Sequence, residues 1–532
     1  MAPEDSIIRS TDVTLGSVSQ KKSDTLPKLH PWTFLICSNF GFDSSGLELI
    51  SASSWYDFWE NHKIRVNGAV RNLPEGVSPF YLEYEVNSFK DFSKQALISK
   101  IPVLCTYSKA LEILRDLQKN KILPQNAKIQ ISELDLPAET KKTILSLFQN
   151  ESDIAESKSE KVDSILSMVD TGQVDSKNDL SSVFQQIPDS TVTNQKITKI
   201  IGILENQVSS ISDTVVNENF FSSIRDSWYQ LKDFLKTAGR NENIQVYVLS
   251  KSYKESVDYL SRPDSLCTLE GTAPDFILWD YPISINTAQL SDLQETAKVA
   301  DKHKSILIGS FNSEDPSVKE LLNTDNITHL LQQSEYIPFT RLRKDLFTRN
   351  IVLCLTSAAP VSNDETHISG HWIFGKLWLN SFANKGTPFE LTDFEITDSI
   401  SLPDITEPVV KDAQKNGITI IALNTTDSNP NVLFRYEENE AYESLFYNLA
   451  INRTAKLAVN WISKNSKKYP FDEAITELKQ FLYAQLKPYS ILSSQEAVSV
   501  QKENESILVT IDSESTVSGF PFKFKFTVDF RV

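Results

Sequence analysis

Four short apolar runs limit the folds open to this chain: Ile244–Ser250 (IQVYVLS), Asp275–Pro282 (DFILWDYP), Ser305–Phe311 (SILIGSF) and Ile351–Thr356 (IVLCLT). Each has the length of one strand, and none alternates, which is the pattern of strands buried on both faces in a parallel sheet. A helical period, Ala288–His303, separates the second from the third. Strand and helix alternating at this spacing predict a doubly wound α/β sheet. TFLICSNFG (33–41) reads as a further buried strand ending in a turn, and Gly417–Leu423 as one more. Ile197–Ile211, Phe220–Leu235 and Glu440–Asn465 carry amphipathic helical periods, and Trp55–Trp59 opens an aromatic-rich helix.

The end of the chain has a different period. Phe522, Phe524, Phe526, Val528, Phe530 and Val532 alternate with Lys523, Lys525, Thr527, Asp529 and Arg531. Strict period-2 alternation is the mark of a half-buried strand. With Val498–Val500 and Ile507–Ile511 before it, the segment predicts a β-meander. Such a strand either closes its own sheet as an edge strand or pairs with the sheet edge of another subunit, and the pattern alone fits both.

The remaining segments set the expected boundaries. Residues 1–24 form an N-terminal arm with weak alternation at Ile8, Val13 and Leu15. Residues 25–120 form a compact first domain, with a strand at Phe80–Val86. A helical period from Ser88 to Asn120 then carries Ile101, Leu104, Leu111 and Leu114 on one face. From 121 to 195 the chain is rich in Ser, Asp, Glu, Lys and Gln and reads as a polar linker with short helical patches at Thr143–Phe148 and Ile165–Val169. Residues 196–490 form the α/β domain and 491–532 the meander.

Charge and glycine usage exclude several function classes. With 53 Lys+Arg against 70 Asp+Glu, the net charge of −17 opposes phosphate backbones and anionic membranes, so neither nucleic-acid binding nor membrane insertion is expected. Only 15 of 532 residues are glycine. The chain has no GxGxxG, GxxxxGK[ST] or GxSxG, so the turns that cradle phosphates or expose a nucleophile are missing. No run reaches 18 apolar residues, and the first residues, with Glu4 and Asp5, lack the apolar core of a signal peptide. Cys37, Cys105, Cys267 and Cys354 are too widely spaced for a zinc knuckle or redox pair and read as buried thiols, in keeping with a reduced, cytoplasmic protein.

Candidate chemistry is sparse. His367 and His371 have the H-x₃-H spacing of a helical metal pair, but only Asp364 and Glu365 lie near. No helical pattern covers them, so a loop with two exposed histidines is the expectation. Asp280 falls near the carboxyl end of a parallel strand, where such folds gather ligands. Without a Gly-rich turn beside it, a capping or turn role is expected. Arg341, Arg343, Lys344 and Arg349 form a basic cluster in an acidic chain. It is either a solvated face or a contact for acids on a neighbouring subunit or an inner partner. The residues assemble into no Ser/His/Asp or Cys/His set, and the expectation is a protein that is not an enzyme and uses no cofactor and no metal.

Several segments are similar to a known family. Val86-Asn-Ser-Phe89-Lys-Asp91-Phe92-Ser93, then Ile101-Pro102 and Leu111-x-x-Leu114-Arg115, resembles the "F-x-x-[LF]-x-D-F-S-P … V-P-x-L … L-L-x-x-R" stretch of the small type VI secretion sheath subunit (TssB/VipA-like), with Lys94 in place of Pro. The second half resembles the large subunit (TssC/VipB-like), in order. Phe221-x-x-Ile224-x-x-x-Trp228-x-x-Leu231 is similar to "F-Q-x-L-E-x-x-W-R-G-L", and Leu278-Trp-Asp280-Tyr281 to "L-x-G-D-Y". Phe339 to Leu353 is similar to "W-x-x-F-R-x-S-x-x-A-R-Y-x-x-L". Asn416-Gly417-Ile418 to Leu423 is similar to "L-G-F-x-P-L". Leu449–Leu457, with Arg453 and Ala455, resembles "R-L-P-Y-x-x-x-x-S-R-F-A-H-Y", with Lys456 in place of His. The family's "P-R-x-L-x-R-x-P-Y" run is poorly kept at Thr356–Val361.

The resemblance implies a fusion of the two subunits in a contractile, phage-tail-sheath-like fold. The implied partners are other copies of the chain in a helical polymer, an inner-tube (Hcp-like) protein, a baseplate and a ClpV-type unfoldase, the last contacting the linker helices. It also implies intersubunit strand pairing through residues 6–18 and 522–532, and so favours that reading of the terminal strand.

Overall fold

The computed structural model describes residues 29–74, 77–148, 192–262, 265–266, 273–355, 357–360, 368–389, 391, 400–401, 405–421, 431–435 and 442–530. The chain divides into two units, one built from residues up to His62 and from Asp226 onward, the other from Lys63–Arg225. In chain order the main strands are β1 (Trp32–Ser38), β2 (Glu48–Ile50), β3 (Ile64–Val70), β4 (Phe80–Val86), β5 (Ile244–Ser250), β6 (Phe276–Ile283), β7 (Ile306–Phe311), β8 (Ile351–Cys354), β9 (Ile418–Thr419), β10 (Val498–Glu503), β11 (Ser506–Val517) and β12 (Phe520–Asp529).

The first unit is α/β. Its seven-stranded sheet runs β9-β8-β7-β6-β1-β5-β2. The first six strands in that order are parallel, and β2 runs antiparallel at the edge beside β5. Every residue of β1, β7 and β8 is buried, the reason these segments read as unbroken apolar runs. From β1 the chain continues to β5 on one side. It then crosses to β6 on the other and proceeds outward through β7 and β8, so β1 and β6 flank the point where the strand order reverses.

The expected first domain, 25–120, is divided by the tertiary structure. β1 is an interior strand of the seven-stranded sheet, registered on β5 from Trp32↔Ile244 to Ser38↔Ser250. Hydrogen bonding between strands more than two hundred residues apart is invisible to a reading that assigns neighbours in sequence to one body.

The unit Lys63–Arg225 carries the antiparallel hairpin β3–β4, with Val66 opposite Tyr84 and Val70 opposite Phe80. The expected continuous Ser88–Asn120 helix is broken twice. Ser93, in extended conformation, accepts from Ala96 N–H and starts a new helix at Lys94–Lys100, and Pro102 begins the helix Pro102–Gln118. Proline at a first helical position costs nothing, because that N–H has no partner in the helix anyway. The stretch expected as linker begins with two helices, Pro124–Glu133 and Ala138–Leu145, which bury Ala127, Ile131 and Ile144 within this unit. Its later patch, Ile165–Val169, lies outside the described residues.

The motif Phe89-Lys-Asp91-Phe92-Ser93 has a structural explanation. The Asp91 carboxylate accepts from the Asn87 and Ser88 N–H groups at 2.8 and 3.0 Å and pairs with Lys100 at 2.7 Å. Burial pushes its pKa up, but those donors hold it below the usual carboxylate value. Phe92 packs edge-on against Phe221.

The C-terminal residues form the expected meander, β10-β11-β12. Ser518 and Gly519, both at positive φ, make the two-residue turn that joins Val517 to Phe520. Such a turn matches the twist of the strands it connects. Phe522, Phe524, Phe526, Val528 and Phe530 are all buried.

Candidate functional site

An α/β sheet of this order places ligands at the carboxyl ends of the strands, where the order reverses. Here that position holds side chains of the protein itself. Ser38 ends β1, Asp280 lies on β6 and Ser310 on β7. The Asp280 carboxylate accepts four hydrogen bonds. Oδ1 takes His371 Nε2 at 3.0 Å and Trp372 Nε1 at 2.9 Å. Oδ2 takes the Ser38 hydroxyl at 2.8 Å and the Ser227 hydroxyl at 2.5 Å. Four bonds fill the lone-pair directions of a carboxylate. The expected capping or turn role is therefore wrong: from within β6, Asp280 is tied to β1 and to two helices.

The cluster contains an order of atoms that the residue pattern did not reveal. Ser310 Oγ lies 2.9 Å from His371 Nδ1, and the His371 backbone N–H donates to the same Oγ at 2.8 Å. Every group is satisfied when Nε2–H donates to Asp280 and Nδ1 accepts the Ser310 hydroxyl proton. Serine, histidine and aspartate thus stand in the order of a nucleophile, a base and its orienting acid. A catalytic set also needs an opening at the nucleophile. Ser310, His371 and Trp372 are exposed by only 4, 2 and 1 %, and both capacities of the Ser310 oxygen are spent inside the protein. The arrangement works as a polar tie between β1, β6, β7 and the helices that carry Ser227 and His371.

What fills the crevice is the helix Gly370–Lys385, which the sequence hid. His371 is buried at its start, so the expected exposed loop is corrected. His367 lies outside the described residues. Trp372, Ile373, Phe374, Leu377, Trp378, Leu379 and Phe382 are all buried, and a helix apolar all round shows no amphipathic stripe. Gly375 lets it sit close: a methyl group there would meet Phe234 at 2.9 Å and Leu278 at 3.3 Å.

The other expected residues are dispersed. Arg343 is buried, donating to Asn416 Oδ1 at 2.9 Å and Lys415 O at 3.2 Å. Arg349 pairs with Asp301 at 2.7 Å. These two are internal ties, and only Arg341 and Lys344 of the basic cluster are exposed. Cys37 and Cys354 are buried thiols, and burial pushes both pKa values up. Cys105 is half-buried, and Cys267, Ile8, Val13, Leu15 and Val532 lie outside the described residues. Among the described residues, no group of three or more His, Cys, Asp or Glu side chains is placed to hold a metal ion, and no helix is long and apolar enough to cross a membrane.

The terminal strand keeps its apolar side chains inside its own unit, where Phe530 packs edge-on against Phe471 at 4.7 Å. What it offers outward is backbone. Phe530 N–H bonds Glu505 O across the β11 side, and Val517 faces Phe520 over the turn. By alternation, Lys523, Lys525, Thr527 and Asp529 direct N–H and C=O away from β11. Pro521, which has no N–H to offer, shares that parity. Tyr447 Oη donates to the outward Lys523 carbonyl at 2.9 Å. Beyond Lys523, among the described residues, no strand pairs with this edge.

No protein-family model and no curated protein matches the chain. Among solved structures it is similar to the sheath tail protein Lin1278 from Listeria innocua, at 14 % identity and a TM-score of 0.32, over 50 % of this chain and 59 % of that one. The match thus spans less than two thirds of the Listeria protein.

Proposed function

We propose that this chain is a structural subunit of a contractile, tail-sheath-like polymer of the type VI secretion kind, with small- and large-subunit regions joined in one polypeptide. It surrounds an inner, Hcp-like tube and shortens to drive it, with a baseplate at one end and a ClpV-type unfoldase acting on the spent polymer. The observation that carries this reading is the outward edge of β12, where Lys525, Thr527 and Asp529 present backbone groups to the side away from β11. A strand from a neighbouring copy adds there by main-chain hydrogen bonding, a linkage that survives changes in pitch. The collinear sequence resemblance supports the same reading. So does the filled crevice, because a protein that works by assembly needs that position for packing. Joining the two regions fixes their ratio at one to one and raises their effective concentration.

The test is electron microscopy of the pelletable fraction from cells expressing the chain alone, beside the variant Thr527→Pro. That substitution removes one outward N–H and no bond to β11. Hollow tubes from the natural chain, and folded but dispersed protein from the variant, are the expected outcome. Tubes from both would remove β12 from the interface. Monomers from both would overturn self-assembly and favour a non-polymerising adaptor at the baseplate.

A further inference from the structure

Where the described chain begins, its backbone is gripped by side chains from distant helices. The His30 N–H donates to Gln485 Oε1 at 2.9 Å, and the His30 carbonyl accepts from Arg453 Nη2 at 2.6 Å. Two residues on, Trp32 Nε1 donates to Tyr489 Oη at 3.0 Å, and the Arg453 guanidinium lies over the Trp32 ring at 4.5 Å. Thr33 N–H donates to Asp275 Oδ2 at 3.0 Å. Asp275 is itself held by Arg453 at 2.8 Å and Lys456 at 2.6 Å. All these groups belong to the first unit.

Ordinary entry into a parallel strand uses the neighbouring strands alone, and here those bonds are also present: Trp32 N–H to Asn243 O at 2.7 Å, and Asp275 N–H to Thr33 O at 2.8 Å. The additional grips come from the helices Leu445–Asn465 and Phe471–Leu486 and the turn Lys487–Tyr489 that leads toward β10. Both polar groups of one peptide-chain residue, His30, are thus captured by buried side chains and not by a neighbouring strand. The root of β1 and the root of the terminal meander are fastened to the same stretch, Gln485–Tyr489.

We propose that this set is a tension clamp. A pull delivered through the chain N-terminal to His30 passes into the two helices instead of peeling β1 from β5 and β6. Gln485, Tyr489 and Arg453 are its gripping residues, and Asp275 with Lys456 positions Arg453. The inference goes beyond the sheath reading: it concerns a single chain and stands whether or not copies assemble.

The experiment is optical-tweezers unfolding of the full chain in two geometries. In one the handles sit at residue 1 and at exposed Lys319, so the load enters at His30. In the other they sit at exposed Arg262 and Lys319, so the load bypasses it. Gln485→Leu and Tyr489→Phe each remove one grip and leave the Asp275 ion pairs intact. In the first geometry each is expected to raise the unfolding rate at fixed force by about tenfold, the value of roughly one buried hydrogen bond. In the second it leaves the rate within about twofold. Equal acceleration in both geometries would reduce the set to ordinary fold stability, and no change in the first would overturn it outright. If Gln485→Leu fails to fold, Tyr489→Phe decides alone. Hydrogen exchange of the 29–34 amides supplies a second reading: faster exchange there, with β7 unchanged, supports the clamp, and uniform change across both opposes it.

Discussion

Replacing Asp280 by asparagine tests the account of the filled crevice most directly. The carboxylate accepts from two ring N–H groups and two hydroxyls at 2.5–3.0 Å, with no cation beside it among those four. A buried hydrogen bond to a charged partner nets about 1.5–3 kcal/mol and a neutral one about 1. In Asp280→Asn the amide oxygen still accepts from His371 and Trp372. The Ser38 and Ser227 hydroxyls can turn to accept from the amide NH₂, so four bonds survive in neutral form. The loss is therefore the charge assistance alone, at the low end about 2 kcal/mol. Asp280→Ala differs in kind: it leaves the His371 and Trp372 ring donors buried without a partner, at about 1–3 kcal/mol each, and the Ser38 and Ser227 hydroxyls, 2.8 Å apart, with only each other, a loss that takes a large share of a domain's stability. Urea unfolding followed by tryptophan fluorescence should show a lower midpoint at unchanged slope for the asparagine variant, and little or no folded protein for the alanine variant. An asparagine variant within about 0.5 kcal/mol of the natural chain, or an alanine variant no worse than it, would contradict this account of the crevice.

Other perturbations separate the remaining ties. At Asp275, burial pushes the pKa up, but Arg453 and Lys456 hold it below the usual value. That contribution is present above about pH 4 and lost as pH falls through the folded value, so Asp275→Asn should flatten the acid limb of the stability curve. Burial lowers Lys456, with Asp275 opposing. Stability therefore rises with pH between its folded value and about 10.4, a rise that Lys456→Met should abolish, measured by urea midpoints across alkaline pH. Arg453→Met should cost about 2–4 kcal/mol and more than Lys456→Met, because it also frees the His30 carbonyl and the Trp32 face. Asp91→Asn should lower the melting of the Lys63–Arg225 unit by about 1–2 kcal/mol near neutral pH, with the difference shrinking as acid protonates the natural carboxylate. Gly375→Ala should cost about 1–3 kcal/mol by driving a methyl group into Phe234 and Leu278, read as a lower thermal midpoint.

Legible in the residues alone are the elements whose surroundings are uniform along their length. β1, β7 and β8 are buried at every residue and β5 and β6 over most of their length, so their residues are largely apolar and the runs can be read directly. β12 is enclosed on one face, so Phe522 through Phe530 alternate with polar residues. Whatever depends on distant neighbours is settled by three-dimensional packing instead. Residues 370–379 of the helix Gly370–Lys385 are buried on every side, which erases the periodicity that would mark it as a helix. Arg343 and Arg349 look like part of a basic surface until Asn416 and Asp301 are brought to them. Ser310, His371 and Asp280 meet only because β6 and β7 pair in parallel and the helix start folds over their carboxyl ends. Periodicity records how much of a side chain is covered. It carries no record of which distant group does the covering, and hydrogen bonds and ion pairs are specified by that partner.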